Sequence, residues 1–218
     1  MDQLASRRRR EAALTDALLR IVAERGLDEV SVREVASTAG VSIGTVQHYF
    51  PTKDDMLAAA FNEVVRRIRT RNTSLELGTD ERRNFLGVLR ELLPLDGRRA
   101  EEARIMVAFA ARAATSPALA DIQQTILAEI NAKLTEVFTS AAAGRATAEQ
   151  CTLAAHVAVA AADGLALHAV SSGGWISARQ LTAALELLLD ALMPDTADKT
   201  GKLLVDPLDP PATRLAGQ

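Results

Sequence analysis

Apolar residues recur at intervals of three and four positions along most of the chain, which is the spacing of one buried face of an α-helix. No segment alternates apolar and polar residues over the length of a strand. Leu14, Leu18, Ile21 and Val22 form the first such face and predict a helix from about residue 7 to residue 25. The pattern therefore predicts an all-α protein.

Capping residues, glycines and prolines divide the other periodic segments into further helices. Their predicted starts lie at Val32 and Ile43, just after Thr52, Asp80, Gly97 and Ser116, and just after Thr147 and Ser177. This gives about nine helices. We assign residues 1–52 to a three-helix N-terminal domain and residues 53–194 to a larger helical domain. Residues 195–218, with three prolines, are predicted to be a disordered tail.

The segment from residue 31 to residue 53 has the pattern of two short helices joined by a tight turn. Ser31 and Glu34 are spaced as a capping box at the start of the first helix. Gly40 is suited to end this helix because glycine adopts a positive φ without steric cost. Ser42 then caps the second helix. Such a pair of helices is typical of proteins that place the second helix in the major groove of DNA.

The outward face of this second helix carries hydrogen-bonding groups without formal charge. Its exposed positions are Gly44, Thr45, Gln47, His48 and Tyr49. Donors, acceptors and an aromatic ring on a helix suit base edges and phosphate oxygens in a major groove. The composition of this face therefore favours double-stranded DNA as a partner.

The block VREVASTAGVSIGTVQHYFPTKDDML, residues 32–57, resembles the DNA-binding segment of the TetR family of bacterial transcriptional regulators. The resemblance is strong over about residues 10 to 62. It implies DNA contacts at Arg33, Ser42, Thr45, Gln47, His48 and Tyr49, and a phosphate contact at Lys53. The family commonly has tyrosine at the position of Gln47, so the resemblance implies no base preference there.

The resemblance also implies a function for the whole chain. It implies a homodimer in which the first three helices bind operator DNA and the larger domain binds a small effector. EEARIMVAFAARAATSPALADI and AADGLALHAV are similar to the C-terminal domain of the BetI-type branch. This similarity implies a repressor that binds a palindromic operator and is released by its effector. An activator, or a regulator without an effector, is the alternative with the same fold.

Catalytic motifs are missing from the sequence. It contains no G-x-S-x-G, no phosphate-binding glycine loop and no H-E-x-x-H, and no two histidines are four residues apart. We therefore predict no enzymatic activity, no cofactor and no metal site, with a small helical enzyme as a remote alternative.

The eighth and ninth helices are predicted to form the dimer interface. The predicted interface residues are Ala158, Ala162, Leu181, Leu185, Leu188 and Leu192. Alanines let a partner helix approach closely, and the leucines form an apolar stripe. The alternative is that the stripe only closes the core of one chain. The resemblance favours a four-helix dimer interface, which places two reading helices on successive major grooves.

A ligand cavity is expected between the sixth, seventh and eighth helices, as in the family. Its candidate lining residues are Met106, Phe109, Arg112, Leu127, Ile130, His156 and Asp163. His156 and Asp163 are seven residues apart and therefore lie close to the same helix face. A hydrogen-bonded core histidine and a buried hydrogen-bonding aspartate are the alternatives for these two residues.

The composition narrows the class of protein. With 218 residues, of which 48% are hydrophobic, the chain can bury a sizeable core. Its single cysteine, Cys151, excludes an internal disulfide. We expect no membrane span, because no apolar stretch approaches the ~20 residues required, and no signal peptide. The expected location is the cytoplasm.

The charge is distributed unevenly along the chain. The net charge is −3, but residues 1–71 contain 12 basic and 10 acidic side chains, against 13 and 18 in the remainder. DNA binding by the first part would therefore depend on a few positioned groups and helix N-termini. The basic cluster at residues 7–10 is expected to be a solvated, disordered terminus, and an arm that follows DNA phosphates is the alternative.

Overall fold

The structure is a computed structural model and describes residues 2–26, 29–76 and 78–193. These residues form nine α-helices and no strand, which confirms the predicted all-α fold. The helices are α1 (Asp2–Arg25), α2 (Val32–Ala39), α3 (Ile43–Tyr49), α4 (Lys53–Thr73), α5 (Glu81–Arg90), α6 (Gly97–Ala113), α7 (Pro117–Ala142), α8 (Ala148–Ser171) and α9 (Ala178–Leu192). The predicted tail, residues 195–218, lies outside the described part.

Helix α1 begins five residues earlier than expected and includes the basic cluster. Residues 7–10 are therefore helical, and the expectation of a disordered terminus is wrong. The described side chains before Leu14 are all exposed, so the first turns of α1 extend beyond the core.

The first hydrophobic core joins α1, α2, α3 and one face of α4. The apolar face predicted for α1 is buried there, together with Val35 and Ala36 of α2 and Val46 of α3. Ala36 is a small residue at the contact between α2 and α3, where a larger side chain would separate the two helices. The three-helix unit is therefore built as the sequence predicts, but it needs α4 to complete its core.

Helix α4 has two buried faces. Met56, Ala60 and Val64 belong to the first core, whereas Leu57 and Phe61 pack with α6 and α7 in a second core. In that second core the rings of Phe61 and Phe109 stack with centroids 3.8 Å apart and an interplanar angle of 11°. A movement of α6 is therefore transmitted to α4 by direct packing.

The third core lies between α5, α7, α8 and α9 and contains the small residues of α8. Contrary to the sequence-based expectation, α8 is long and apolar enough to cross a membrane by length and composition alone. A core helix passes the same test, and Ala155, Ala158 and Ala162 of α8 are fully buried against the neighbouring helices.

Candidate functional site

The start of α2 is fixed by a side-chain cap. Ser31 accepts a hydrogen bond at 3.2 Å from the backbone amide of Glu34, as predicted. The Glu34 carboxylate does not close the predicted capping box, because it accepts a hydrogen bond from Arg25 at 2.8 Å. This ion pair ties α2 to the end of α1 instead.

The turn between α2 and α3 has the predicted geometry. Gly40 has a φ of 66°, in the left-handed region, and its amide donates to the last carbonyls of α2. The Ser42 hydroxyl accepts from the backbone amide of Thr45 at 3.1 Å and shares a hydrogen bond of 2.9 Å with the Thr45 hydroxyl. The orientation of α3 relative to α2 is therefore set by local hydrogen bonds.

One residue anchors α3, and the opposite side of the helix is open. Val46 is completely buried between α1, α2 and α4, and Phe50 is buried directly after the helix. Gln47 and His48 lie on the exposed side, and Tyr49 packs partly against the core. The His48 and Tyr49 rings meet edge to face with centroids 5.4 Å apart.

The seven predicted DNA contacts lie in a short segment around α3. Arg33, Ser42, Gln47, His48 and Lys53 are exposed, and Thr45 and Tyr49 are half-buried. None of them takes part in an ion pair within the described residues. The exposed side chains of Arg33, Gln47, His48 and Lys53 can therefore contact a surface outside the chain, whereas Ser42 and Thr45 bond each other in the cap of α3 and Tyr49 packs partly against the core. The roles of all seven residues in DNA binding stay predictions.

Lys53 opens α4 immediately after this surface. The Thr52 hydroxyl accepts a hydrogen bond from the backbone amide of Asp55 at 3.1 Å. The Asp55 carboxylate in turn accepts one from the Thr52 amide at 2.9 Å, which completes a capping box. Lys53 is thus held on a well-defined first turn.

The next residue, Asp54, ties this turn to the corner between α6 and α7. Its two carboxylate oxygens accept hydrogen bonds from Arg112, at 2.9 Å from Nε and 3.1 Å from Nη2. The Arg112 hydrogen bond lowers the pKa of Asp54 below its usual value, so the carboxylate stays charged. Ser116 donates a third hydrogen bond to Asp54 at 3.1 Å. We call Asp54, Arg112 and Ser116 the corner cluster.

Ser116 was predicted to cap α7, and its backbone does occupy the position before Pro117. Its side chain makes no capping hydrogen bond, however, because the hydroxyl donates to Asp54. The Leu119 and Ala120 amides donate to the Ser116 backbone carbonyl, and the Ser116 hydroxyl in addition couples the start of α7 to the start of α4.

An internal cavity of about 390 Å³ lies between α4, α6, α7 and α8. Its wall is mostly apolar, with contributions from Phe61, Ile68, Met106, Val107, Ile126, Leu127, Ile130, Val159 and Leu167. The polar lining residues are Glu91, Arg99, Glu102, Gln123 and Asp163. A cavity of this size and composition is typical of a small-molecule site.

Four of the seven predicted lining residues face this cavity, namely Met106, Leu127, Ile130 and Asp163. Phe109 does not line it, because it is completely buried behind Phe61. Arg112 belongs to the corner cluster. His156 lines a separate, open groove of about 650 Å³ between α6, α7 and α8. The predicted cavity thus exists, with three of its proposed residues elsewhere.

Asp163 lines the cavity and has no polar partner among the described residues. It makes no hydrogen bond or ion pair with any other described residue, so it is not the hydrogen-bonded anchor considered as an alternative. The residue is exposed to solvent through the partly open cavity, but the neighbouring protein atoms desolvate its carboxylate enough to raise the pKa to about 6.

A charged network closes one side of the cavity. Arg71 donates hydrogen bonds to the carboxylates of Glu91 and Glu102, and Arg99 pairs with Glu91 at 3.0 Å. Glu91 and Glu102 are both buried, at 8% and 5% exposure. The charge pattern of α4 predicts one solvated face formed by Arg66, Arg67, Arg69 and Arg71, but Arg66 and Arg69 are exposed, Arg67 is half-buried and the Arg71 side chain is largely enclosed. The spacing of charged residues along one helix could not predict this network, because its members lie in separate parts of the chain.

The outer surface of α8 and α9 carries exposed apolar residues. Leu153, Val157 and Leu167 of α8 are 40% to 46% exposed, and Leu187 of α9 is 72% exposed. The α8 residues recur at helical intervals and form one stripe. A stripe of this kind on a folded chain is typical of a protein–protein interface.

Four of the residues predicted for the dimer interface lie beneath this surface. Ala158, Ala162, Leu181 and Leu185 are at most 1% exposed and pack within the chain, so a second copy cannot contact them. Leu188 and Leu192 are half-buried at the edge of the same core.

Comparison with known proteins identifies the family. Residues 14–60 match the bacterial regulatory proteins of the tetR family, and residues 81–194 match the C-terminal domain of BetI-type transcriptional repressors. The HTH-type transcriptional regulator BetI of Burkholderia cenocepacia is 30% identical over 192 residues, which cover 87% of this chain and 95% of BetI. The chain belongs to the TetR family. It is therefore a DNA-binding transcriptional regulator and not an enzyme.

Solved structures of TetR-family regulators and related proteins share the fold. The crystal structure of a transcriptional regulator from Rhodococcus sp. Rha1 is 41% identical, with a TM-score of 0.75, and covers 84% of this chain and 95% of its own. A regulator from Saccharomonospora viridis, solved in complex with choline, is 20% identical, with a TM-score of 0.73 and coverages of 83% and 95%.

Proposed function

We propose that this TetR-family protein is a homodimeric, cytoplasmic repressor that binds a palindromic operator and is released by a small-molecule effector. The observation that carries this proposal is the position of α4. The helix begins next to the exposed face of α3, and its residues Phe61 and Ile68 line the cavity. A ligand in the cavity therefore contacts the helix that follows the DNA-reading surface.

The exposed groups around α3 support specific DNA binding. Gln47 and His48 present donors and acceptors on the exposed face of α3, which suit base edges, whereas the positive charge of Lys53 suits a phosphate. Arg33 lies on α2 and supplies a second charge. This division of roles matches a protein that reads sequence through a few side chains.

The exposed stripe on α8 and α9 supports a homodimer. The stripe replaces the buried residues predicted from sequence, with Leu153, Val157 and Leu187 as the contact residues, since Leu167 also lines the cavity. In the proposed dimer a two-fold axis relates the two copies of α3, which should then lie about one turn of DNA apart. Each copy then contacts one half of a palindrome.

The corner cluster gives the release step a physical route. Arg112 lies just beyond the cavity residues Ala110 and Ala111 of α6. A ligand that repositions the end of α6 pulls on Asp54, which is adjacent to Lys53. Effector and operator then favour different positions of α4, which is the requirement for allosteric coupling. The choline complex of the Saccharomonospora regulator supports a ligand-binding role for this fold.

The test is a selection of binding sequences from a random DNA pool with the full-length protein. We expect a palindromic sequence, bound by a dimer, with an affinity that falls steeply as salt increases. A reporter gene behind the selected sequence should be repressed when the protein is present. Equal affinity for random DNA at every salt concentration, or activation of the reporter, would contradict the proposal.

A further inference from the structure

We propose that the cavity binds a protonated primary or secondary alkylamine, whose N–H groups donate to Asp163 and Gln123 while its alkyl chain fills the apolar part. This rests on the proposed function in one respect, since the amine is assigned as the effector of the regulator. The binding chemistry itself follows from the cavity wall.

Two hydrogen-bond acceptors in the wall have no donor. Asp163 on α8 has no polar partner among the described residues. Gln123 on α7 also lines the cavity, and its amide oxygen is enclosed without a hydrogen-bond donor in the part of the chain that the structure describes. This oxygen is buried behind the cavity surface, so its hydrogen bond to the amine requires a rotation of the side-chain amide when the ligand binds. An occupant with N–H groups satisfies both acceptors.

The balance of charge in the wall favours a cation. Glu91 and Glu102 are neutralised by Arg71 and Arg99, which leaves Asp163 as the unpaired charge. This carboxylate would repel an anionic ligand and attract a cationic one. Burial already raises the pKa of Asp163, and a cation beside it would reverse that effect.

The aromatic content of the wall argues against a quaternary ammonium group. Proteins recognise such groups with cages of aromatic rings, because a quaternary nitrogen has no N–H to donate. Phe61 is the one aromatic residue among the described residues that line this cavity, and one face of its ring is stacked on Phe109. The site therefore suits a nitrogen that donates hydrogen bonds more than one that needs a cage.

Calorimetric titration of the full-length dimer with octylamine, octyltrimethylammonium and 1-octanol tests the assignment. These three ligands share an alkyl chain and differ only in the head group. We expect octylamine to bind at least about tenfold more tightly than the other two, since hydrogen bonds to a charged group are strong when solvent is excluded. Equal affinity for all three, or preference for the quaternary ligand, would overturn the proposal.

Variants locate the bound amine. Asp163→Asn should weaken octylamine binding about tenfold or more and leave 1-octanol binding unchanged. Asp163→Glu keeps the charge and should retain part of the preference for the amine, whereas Gln123→Leu should cause a smaller, several-fold loss. Asp121→Asn, at an exposed position of α7, is the matched control and should bind like the unaltered protein. Unchanged amine binding by folded Asp163→Asn would refute the role of Asp163.

Operator binding separates this inference from the proposed function. If octylamine is the effector, it should lower operator affinity about fivefold or more. Binding that depends on Asp163 without any change in operator affinity would refute the effector role but support the site. Failure to bind any specific operator without ligand would refute the proposed function, and the calorimetric comparison of head groups would still decide the chemistry of the cavity.

Discussion

At the scale of single residues, Asp163 combines an unfavourable position for folding with a favourable one for ligand binding. A carboxylate that the folded chain partly desolvates lowers stability, because the unfolded chain solvates the same charge better. The burial that raises its pKa to about 6 makes this cost depend on pH. Sites that bind ligands are commonly less stable than the same fold without them.

We predict that Asp163→Asn raises the melting temperature at pH 7.5 and has a smaller effect at pH 5. Because the pKa of Asp163 is raised from 3.8 to about 6 in the folded chain, its destabilising effect is absent below about pH 4, grows as the pH rises and is complete above about pH 6. Glu91, Arg99 and Glu102 also line the cavity, and His156 lies on the same helix, but the variant retains all four. Thermal unfolding of both proteins across this pH range checks the prediction, and a loss of stability at pH 7.5 would contradict it.

The exposed residues of the reading surface are expected to have separable roles. Gln47→Ala should relax discrimination at one base pair with little effect on non-specific binding. Lys53→Ala should weaken binding to all sequences and reduce the salt dependence by about one counterion. Competition between operator variants at several salt concentrations measures both effects. Identical profiles for the two variants would show that the assignment of roles is wrong.

Local hydrogen bonds are the part of the residue-level structure that the sequence predicted well. The caps at Ser31, Ser42 and Thr147 were predicted correctly, because both partners lie within three residues. The side-chain hydrogen bonds of Glu34 and Ser116 were predicted wrongly, because these side chains bond Arg25 and Asp54 on other helices instead. A short-range pattern does not contain the position of such distant partners.

At the scale of helices, buried charge holds α4 against α5 and α6. Arg71 sits between the buried carboxylates of Glu91 and Glu102, whereas Arg69, two residues earlier on α4, forms an exposed pair with Glu129. Breaking a buried pair leaves an unpaired charge in the interior, but an exposed pair contributes little. The two arginines therefore form a matched comparison on one helix.

Arg71→Met should lower the free energy of unfolding by about 3–5 kcal/mol, which is typical for removal of one partner from a buried ion pair. Arg69→Met should change it by less than about 1 kcal/mol. Urea denaturation of both variants measures the difference. Similar values for the two would mean that the network around Arg71 is as well solvated as a surface pair.

The corner cluster is the second contact between helices that we expect to matter, and it matters for function more than for folding. Arg112→Gln removes the bidentate contact with Asp54 and should alter operator affinity while the fold stays intact. The effect should be absent in Arg69→Gln, which loses an exposed contact between α4 and α7. Mobility assays on the selected operator compare the two, and equal affinities for both variants and the unaltered protein would rule out the coupling role.

Helix existence and burial were predictable from sequence, but the partner of each buried face was not. The stripe of leucines in α9 was recognised, yet its residues Leu181 and Leu185 face the core of their own chain. Periodicity identifies an apolar face and does not distinguish a neighbouring helix from a second subunit. Leu187, which the periodic reading left out, is the exposed leucine of α9.

At the scale of the whole molecule, the exposed stripe on α8 and α9 should control assembly. Leu187→Asp is expected to shift the dimer towards monomer, because it places a charge in the centre of an apolar contact. Ala132→Asp adds the same charge at an exposed position of α7 and is the control. Sedimentation velocity across a concentration series measures the change. A dimer that persists in Leu187→Asp would place the interface on another face.

Loss of the dimer should also weaken operator binding in Leu187→Asp. A monomer contacts one half-site, so it loses the contribution of the second reading helix. The same mobility assay therefore links the assembly state to function in a single variant.

The two apolar faces of α4 have a consequence for protein engineering. A chimera that takes its DNA-reading head from one relative and its ligand domain from another cannot be joined at residue 52 without mismatching one core. Met56, Ala60 and Val64 have to come from the protein that supplies the DNA-binding domain, because they pack in its core. Leu57 and Phe61 have to come from the protein that supplies the ligand-binding domain. A functional chimera therefore needs residues from both parents alternating along α4, and a single junction before this helix is not sufficient.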